Sequence, residues 1–460
     1  MSFSRRDFLR TSVCAAVGTT SIVRTLLDLG GIAAAAELPR RHSVVRTAAD
    51  YKALVCVFMY GGNDGNNIIV PRTGSDYTQY AAGRGSVALP QNVLLPITPT
   101  MSDGRVWGLH PSMTGLQGLF GQHKMALLAN VGPLLAPLTR DQFLNGSVAA
   151  PPQLFSHSDQ QVHWQTSIPD QPPHTGWGGR TADLLRTLNG NAQVSMSMSL
   201  AGSNVYQVGD IVTQYQVSPA GTIGLDNFTD GPNGDPVSLA IRSLLTNQTN
   251  NLLVGAAGAV TKRALDNNAL LQSALDQAPA LTTVFPDSYL GGQLNMVAKL
   301  ISVRAALGLS RQVFFVATDG FDTHGDQLAS QAGLLDDLSA SLTAFYNATV
   351  ELTVASNVTT FTASDFGRTF PGNGSGTDHG WGSHQIIVGG AVQGGNIYGH
   401  VPTLVTEGPD DSGEGRWIPT TSVDEYSATL ARWFGVGTAD MGTIFPNLGR
   451  FNNPNLGFMG

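Results

Sequence analysis

The chain has 460 residues, 42% of them hydrophobic and 13% charged, with a formal net charge of −8. That apolar fraction is ample for a core and excludes a mainly disordered chain, while the acidic balance lacks the basic face of a nucleic-acid binder. Two cysteines exclude a disulfide framework and a thiolate zinc cluster, and the 54 glycines follow no repeat period, which assigns them to loops.

At the amino end, Ser4-Arg5-Arg6-Asp7-Phe8-Leu9-Arg10 matches the twin-arginine export pattern, with a modest apolar stretch at 11–36 behind it. Ala34-Ala35-Ala36 ahead of Glu37 reads as a small-residue cleavage site. Arg24 and Asp28 interrupt the stretch, against a membrane anchor of about 20 apolar residues. The expectation is a signal peptide at 1–36 that engages the twin-arginine machinery. It delivers a periplasmic or secreted protein with no stable membrane anchor, folded as one α/β domain over 37–460. Cleavage removes Cys14 and leaves Cys56 alone. The resemblance to such signals also implies folding before export, often around a metal.

An apolar run at 51–60 breaks into Gly61-Gly62-Asn63-Asp64-Gly65, as a central parallel strand covered on both faces would. The same grammar returns at 125–131 before Gly132-Pro133, at 312–317 before Thr318-Asp319-Gly320, and at 358–363 before Ser364-Asp365-Phe366-Gly367. Helical patterns lie at about 290–307 and 325–346. Strand, polar loop and helix in alternation predict an α/β sheet with ligands at the carboxyl ends of its strands. Residues 194–228 alternate short strands with turns, a small β-rich excursion reaching about 235 that is expected to form a rim hairpin over the site; Ala- and Leu-rich helices follow at 236–278.

Polar residues able to do chemistry gather just after those strands. They are Asp64; Asp322 and His324; Asp365 and Arg368; and Asp378, His379 and His384. Carboxylates brought so close repel unless a cation or retained protons compensate. Aspartate oxygen with histidine nitrogen suits zinc, manganese or iron better than calcium. Each residue also has a plainer role. Asp64 or Asp365 alone is as well read as a helix cap, His384 as a buried donor, and His110 and His123 as structural residues. The metal reading rests on four loops coinciding.

Ser156 or Ser158, in Ser156-His157-Ser158-Asp159-Gln160-Gln161, is either an activated hydroxyl at a helix start or an N-cap, the commoner role. Arg180 and Arg368 are able to give an oxyanion its bidentate contact, and Arg180 equally suits a surface ion pair.

GGNDGNNIIVP at 61–71, SHSDQQVHWQT at 156–166, TGWGGR at 175–180, GFDTHGDQ at 320–327, SDFGRT at 364–369, GTDHG at 376–380 and GGNIYG at 394–399 together resemble domain of unknown function 1501. That family belongs to the alkaline phosphatase-like superfamily, with sulfatases and phosphomutases. The resemblance implies a three-layer α/β fold with a central, mostly parallel sheet and helices on both faces. It implies Asp64, Asp322, His324, Asp365, Asp378, His379 and His384 as metal ligands, and Ser156 as nucleophile with Arg368 beside it. Arg180 and His157 fall to the substrate. The sequence departs from the pattern where Phe366 follows Asp365 and where Phe155 stands in place of an arginine before Ser156. The sulfatase cysteine-modification motif is missing, against a formylglycine sulfatase.

The leading expectation is an exported metal-dependent hydrolase or transferase of a phosphate or sulfate ester, small or glycan-linked. Zinc or manganese is preferred to calcium or magnesium. The alternatives are an exported, non-catalytic metal-containing binding or assembly protein and, more weakly, a metal-dependent phosphomutase.

Overall fold

The computed structural model describes residues 51–225, 228–229, 234–246 and 252–460, so the expected export signal lies outside the described residues. In chain order the strands are β1 (Lys52–Met59), β2 (Ile69–Pro71), β3 (Leu95–Ile97), β4 (Trp107–Leu109), β5 (Met125–Gly132), β6 (Ser197–Ser199) and β7 (Tyr215–Ser218). They continue with β8 (Gly221–Thr222), β9 (Arg311–Thr318), β10 (Val358–Ser364), β11 (Ser383–Gly389), β12 (Ile397–Tyr398) and β13 (Thr421–Ser422).

The central sheet runs β12-β5-β11-β10-β1-β9-β6-β7-β8, with β13 also on β5. It is mostly parallel; β11 alone reverses between β10 and β5, and the β7–β8 hairpin closes the far edge. The four apolar runs of the sequence are β1, β5, β9 and β10. Every residue of β1 after Lys52 is buried, because helices cover both faces and leave no polar side to alternate with.

The helices Thr114–Gly121, Tyr289–Ser302 and Gln327–Glu351 pack together on one face. The helices His157–Thr166, Trp177–Leu185 and Val423–Phe434 cover the other. The helix expected to reach 307 stops at Ser302, and residues 303–308 continue as turns. The β-rich excursion joins the sheet edge, where β6 runs parallel to β9 and carries the β7–β8 hairpin outward. Cys56 sits buried in the middle of β1 with a free thiol.

Register positions the site. Met59 of β1 lies opposite Thr318 of β9 on one side and Ser364 of β10 on the other, so three parallel strands end level. The chain then turns through Gly61 and Gly62, at φ 112° and 87°. A Cβ at Gly61 would lie 2.4 Å from the Asp322 nitrogen, and one at Gly62 would lie 2.3 Å from the Phe366 ring. Only glycine lets the loop after β1 lie this close to the loops after β9 and β10.

Candidate metal centre

Four segments deliver the site. The loop after β9 carries Asp322 and His324, and the loop after β10 carries Asp365 and Arg368. The chain from Gly367 to Trp381 doubles back on itself, with Arg368 and His379 paired in an isolated antiparallel bridge. Hydrogen bonds from Gln327 N to Ser375 O (2.9 Å) and from Thr377 N to Thr323 O (3.1 Å) tie that hairpin to the β9 loop. The fourth piece is the first turn of the helix His157–Thr166.

One oxygen of Asp322 is the meeting point. Oδ1 lies 2.7 Å from Arg368 Nη1, 3.0 Å from His324 Nε2 and 3.3 Å from His379 Nε2. His157 Nε2 stands 3.5 Å from Asp322 Oδ2. Single ligand atoms of His157, Asp322 and His379 all fall within 4.8 Å of one another.

The outer nitrogens fix the tautomers. His379 Nδ1 lies 2.8 Å from the Phe155 carbonyl, and a carbonyl only accepts, so the proton is on Nδ1 and the Nε2 lone pair faces inward. His157 Nδ1 bonds Asp365 Oδ2 at 2.7 Å, and His324 Nδ1 lies 3.1 Å from Asp378 Oδ1. In the neutral rings these contacts turn all three Nε2 lone pairs toward Asp322. Two of them, on His324 and His379, stand 3.0 Å apart. Facing lone pairs at that distance need a proton or a cation between them, and a carboxylate or carbonyl behind each imidazole is how metal-binding histidines are held. The donor set and its backing therefore fit a divalent transition metal.

The electrostatics agree with that fit. Burial pushes the Asp322 carboxyl up, but the Arg368 bond and charge, with His324 and His157, more than offset it and hold it below the usual carboxylate range. Burial raises Asp365 against the opposing bonds from Gln161 and His157. Burial also lowers His379, favouring the neutral ring that can ligate. The side chains of His157, Asp322 and His379 are 33%, 42% and 25% exposed, so the centre opens to solvent.

The other expected residues sit around or away from this centre. Asp365 backs His157, with its Oδ1 buried and unpartnered, and Asp378 backs His324. Asp64 is buried: its carboxylate pairs with Arg84 and accepts from Asn66 and Gln327. His384 is buried too, its Nδ1 accepting from Asn130 N at 3.0 Å. Neither belongs to the converging set. Arg368 is 1% exposed and donates to Asp322, Gly61 O and both oxygens of Thr377, so it anchors Asp322 and has no free edge for an oxyanion. Arg180 points elsewhere, donating to the carbonyls of Thr166, Thr175 and Ile444. Ser156 is the N-cap residue of its helix, yet its hydroxyl donates to Asp159. His110 and His123 lie outside the cluster.

Three further groups contribute to the centre. Gln161 Nε2 donates to Asp365 Oδ2 at 2.9 Å, and its place four residues after His157 on one helix face was the available signal. The Phe155 carbonyl is aimed by a left-handed backbone, φ 71°, which no phenylalanine advertises. Arg416 stacks on the Phe155 ring at 4.5 Å and donates Nε to His379 O at 2.9 Å, clamping that pair of loops.

The family described as "Protein of unknown function (DUF1501)" matches residues 51–412. Among solved structures, Ps i-CgsB in complex with k-i-k-neocarrahexaose is similar at 11% identity, over 88% of this chain and 77% of that one, with a TM-score of 0.35. The PsFucS1 sulfatase from Pseudoalteromonas sp. is similar at 10% identity, over 84% and 68%, with a TM-score of 0.34. No curated protein matches the chain.

Proposed function

We propose that this chain, which belongs to the DUF1501 family of proteins of unknown function, is a metal-dependent hydrolase or transferase of a phosphate or sulfate ester, exported by the twin-arginine route. The observation that carries the reading is the pair of inward-facing Nε2 atoms of His324 and His379, 3.0 Å apart beside the Asp322 carboxylate. His157, Asp322 and His379 would hold the ion, with His324 adjoining, and this donor set favours zinc or manganese. A divalent ion bound there supplies Lewis acidity toward an ester oxygen and offsets the charge that develops on it.

The chain's own groups do the rest. Arg368 keeps Asp322 ionised and oriented. Asp365 and the Phe155 carbonyl hold the protons of His157 and His379 on Nδ1. The Ser156 hydroxyl, one residue before His157, is the candidate nucleophile. The open lip of the centre leaves room for an ester attached to something larger, such as a glycan. Among the described residues no helix is long and apolar enough to cross a membrane.

A second reading, an exported metal-containing binding protein without turnover, is favoured by one observation. Arg180 and Arg368, the guanidinium groups expected to meet an oxyanion, have their donors committed to this chain. Metal analysis of the purified protein beside an Asp322→Ala/His379→Ala variant, followed by aryl phosphate and aryl sulfate assays, separates the outcomes. About one or two ions per chain, lost in the variant, with ester turnover supports the enzyme. Bound metal without turnover supports the binding protein. No metal after loading with zinc and manganese overturns both.

A further inference from the structure

We propose that Asp159 is the general base for the Ser156 hydroxyl, a deepening that rests on the ester-hydrolase reading above. Among the described residues, four helices start with a hydroxyl residue three positions before a Gln, Glu or Asp. At Thr139 and Gln142, and again at Ser422 and Glu425, the capping box closes. In the second, Glu425 N donates to Ser422 Oγ at 3.1 Å and Ser422 N to Glu425 Oε2 at 3.0 Å.

The starts at Thr73 and Ser156 both have extended backbones, Ser156 at φ −94° and ψ 126°, and neither hydroxyl accepts a helix N–H. Ser156 Oγ instead donates to Asp159 Oδ2 at 2.5 Å, the short range of a hydroxyl on a carboxylate. The arrangement commits the hydroxyl proton to a base, with no backbone N–H on the oxygen and the Ser158 hydroxyl 3.4 Å away. That is the nucleophile–base contact that activates a serine. Ser156 stands in the chain between Phe155, whose carbonyl holds His379 Nδ1, and His157 of the converging set. Both side chains are partly exposed, so a substrate can reach them.

In the reaction, Ser156 Oγ bonds to the ester phosphorus or sulfur while its proton passes to Asp159 Oδ2. The bond from phosphorus or sulfur to the leaving oxygen breaks, and that oxygen keeps the electron pair and takes a proton from solvent water. A second water then adds to the phosphorus or sulfur and gives its proton to solvent. The Oγ bond breaks in this step, and Oγ recovers its proton from Asp159.

The test treats the metal-loaded protein with diisopropyl fluorophosphate and locates the adduct by peptide mass spectrometry. The expected result is a label on Ser156 that forms about 100-fold more slowly in Asp159→Asn, with metal content and melting temperature unchanged and partial recovery in Asp159→Glu. Equal labelling rates in wild type and Asp159→Asn, or no label on Ser156, overturn the assignment. Wild-type protein that labels in this Asp159-dependent way but turns over no phosphate or sulfate ester retains the base and defeats the ester reading instead.

Discussion

Asp64 and Asp322 both follow a central parallel strand, both stand in a glycine-rich loop, and both were expected to bind metal. Their surroundings differ. The Asp64 side chain is 1% exposed and both its oxygens are taken by Arg84, Gln327 and Asn66. Asp322 is 42% exposed and faces three histidines whose protons are held on the far side of each ring. A strand-end position therefore delivers a carboxylate to the sheet edge without deciding its task. Burial and the charge of its nearest partner decide that: a buried guanidinium makes a structural pair, and convergent imidazoles make a binding site.

The sharpest way to break this contrast is Asp64→Ala. It strands the Arg84 charge in a buried site, and the expected loss is about 3–5 kcal/mol of unfolding free energy, measured by denaturant titration. The metal content of the folded fraction should stay the same. Loss of metal without loss of stability would mean that Asp64 belongs to the centre after all.

The histidines divide in the same way, and pH exposes the division next in size. His384 accepts a backbone N–H on Nδ1, and burial holds its pKa down at about 4. Between that value and the ordinary value of about 6.5, the unfolded chain binds more protons than the folded one. Stability from this group is thus fully present above about pH 6.5 and is lost as pH falls toward 4, by roughly 3 kcal/mol. His110 and His163, lowered to about 4 by burial, act in the same direction, while Asp424, raised to about 7 by burial, acts in the opposite one. Comparison with His384→Gln isolates one group: its stability gap from wild type should narrow as pH drops from 6.5 to 4. A constant gap would show that His384 is not held neutral in the core.

Long elements were legible because double-sided burial writes an unbroken apolar run, as in β1 and β10. The small sheet of β2, β3 and β4 was not, since three residues per strand are too few to establish a period. At the site, the meeting of Asp322, His324 and His379 follows the strand-end positions and residue types that the sequence displays. The division between Asp322 and Asp64 does not, because Arg84 reaches Asp64 from a helix twenty positions along, and only packing fixes that partner. The roles of the Phe155 carbonyl and of His157 were hidden for another reason: every residue has a carbonyl, and what a histidine ligates depends on which group holds its other nitrogen.

Gln161 offers the finest test of that last point. It touches no ligand atom of the centre; it donates to the oxygen of Asp365 that also takes the His157 proton. Replacing it by Met keeps the volume and removes the donor, leaving Asp365 Oδ2 with His157 Nδ1 and Gly61 N. Partners behind a metal-bound histidine are worth about 10–100-fold in affinity, and one step further out the lower end is expected, about tenfold for zinc by competition with a chromophoric chelator. Stability should change by less, because the side chain is only partly buried. A tenfold weaker site in a protein that melts unchanged would mean that His157 is held for binding. Equal affinity would instead make the His157–Asp365–Gln161 chain a packing feature and leave the ion to Asp322, His324 and His379.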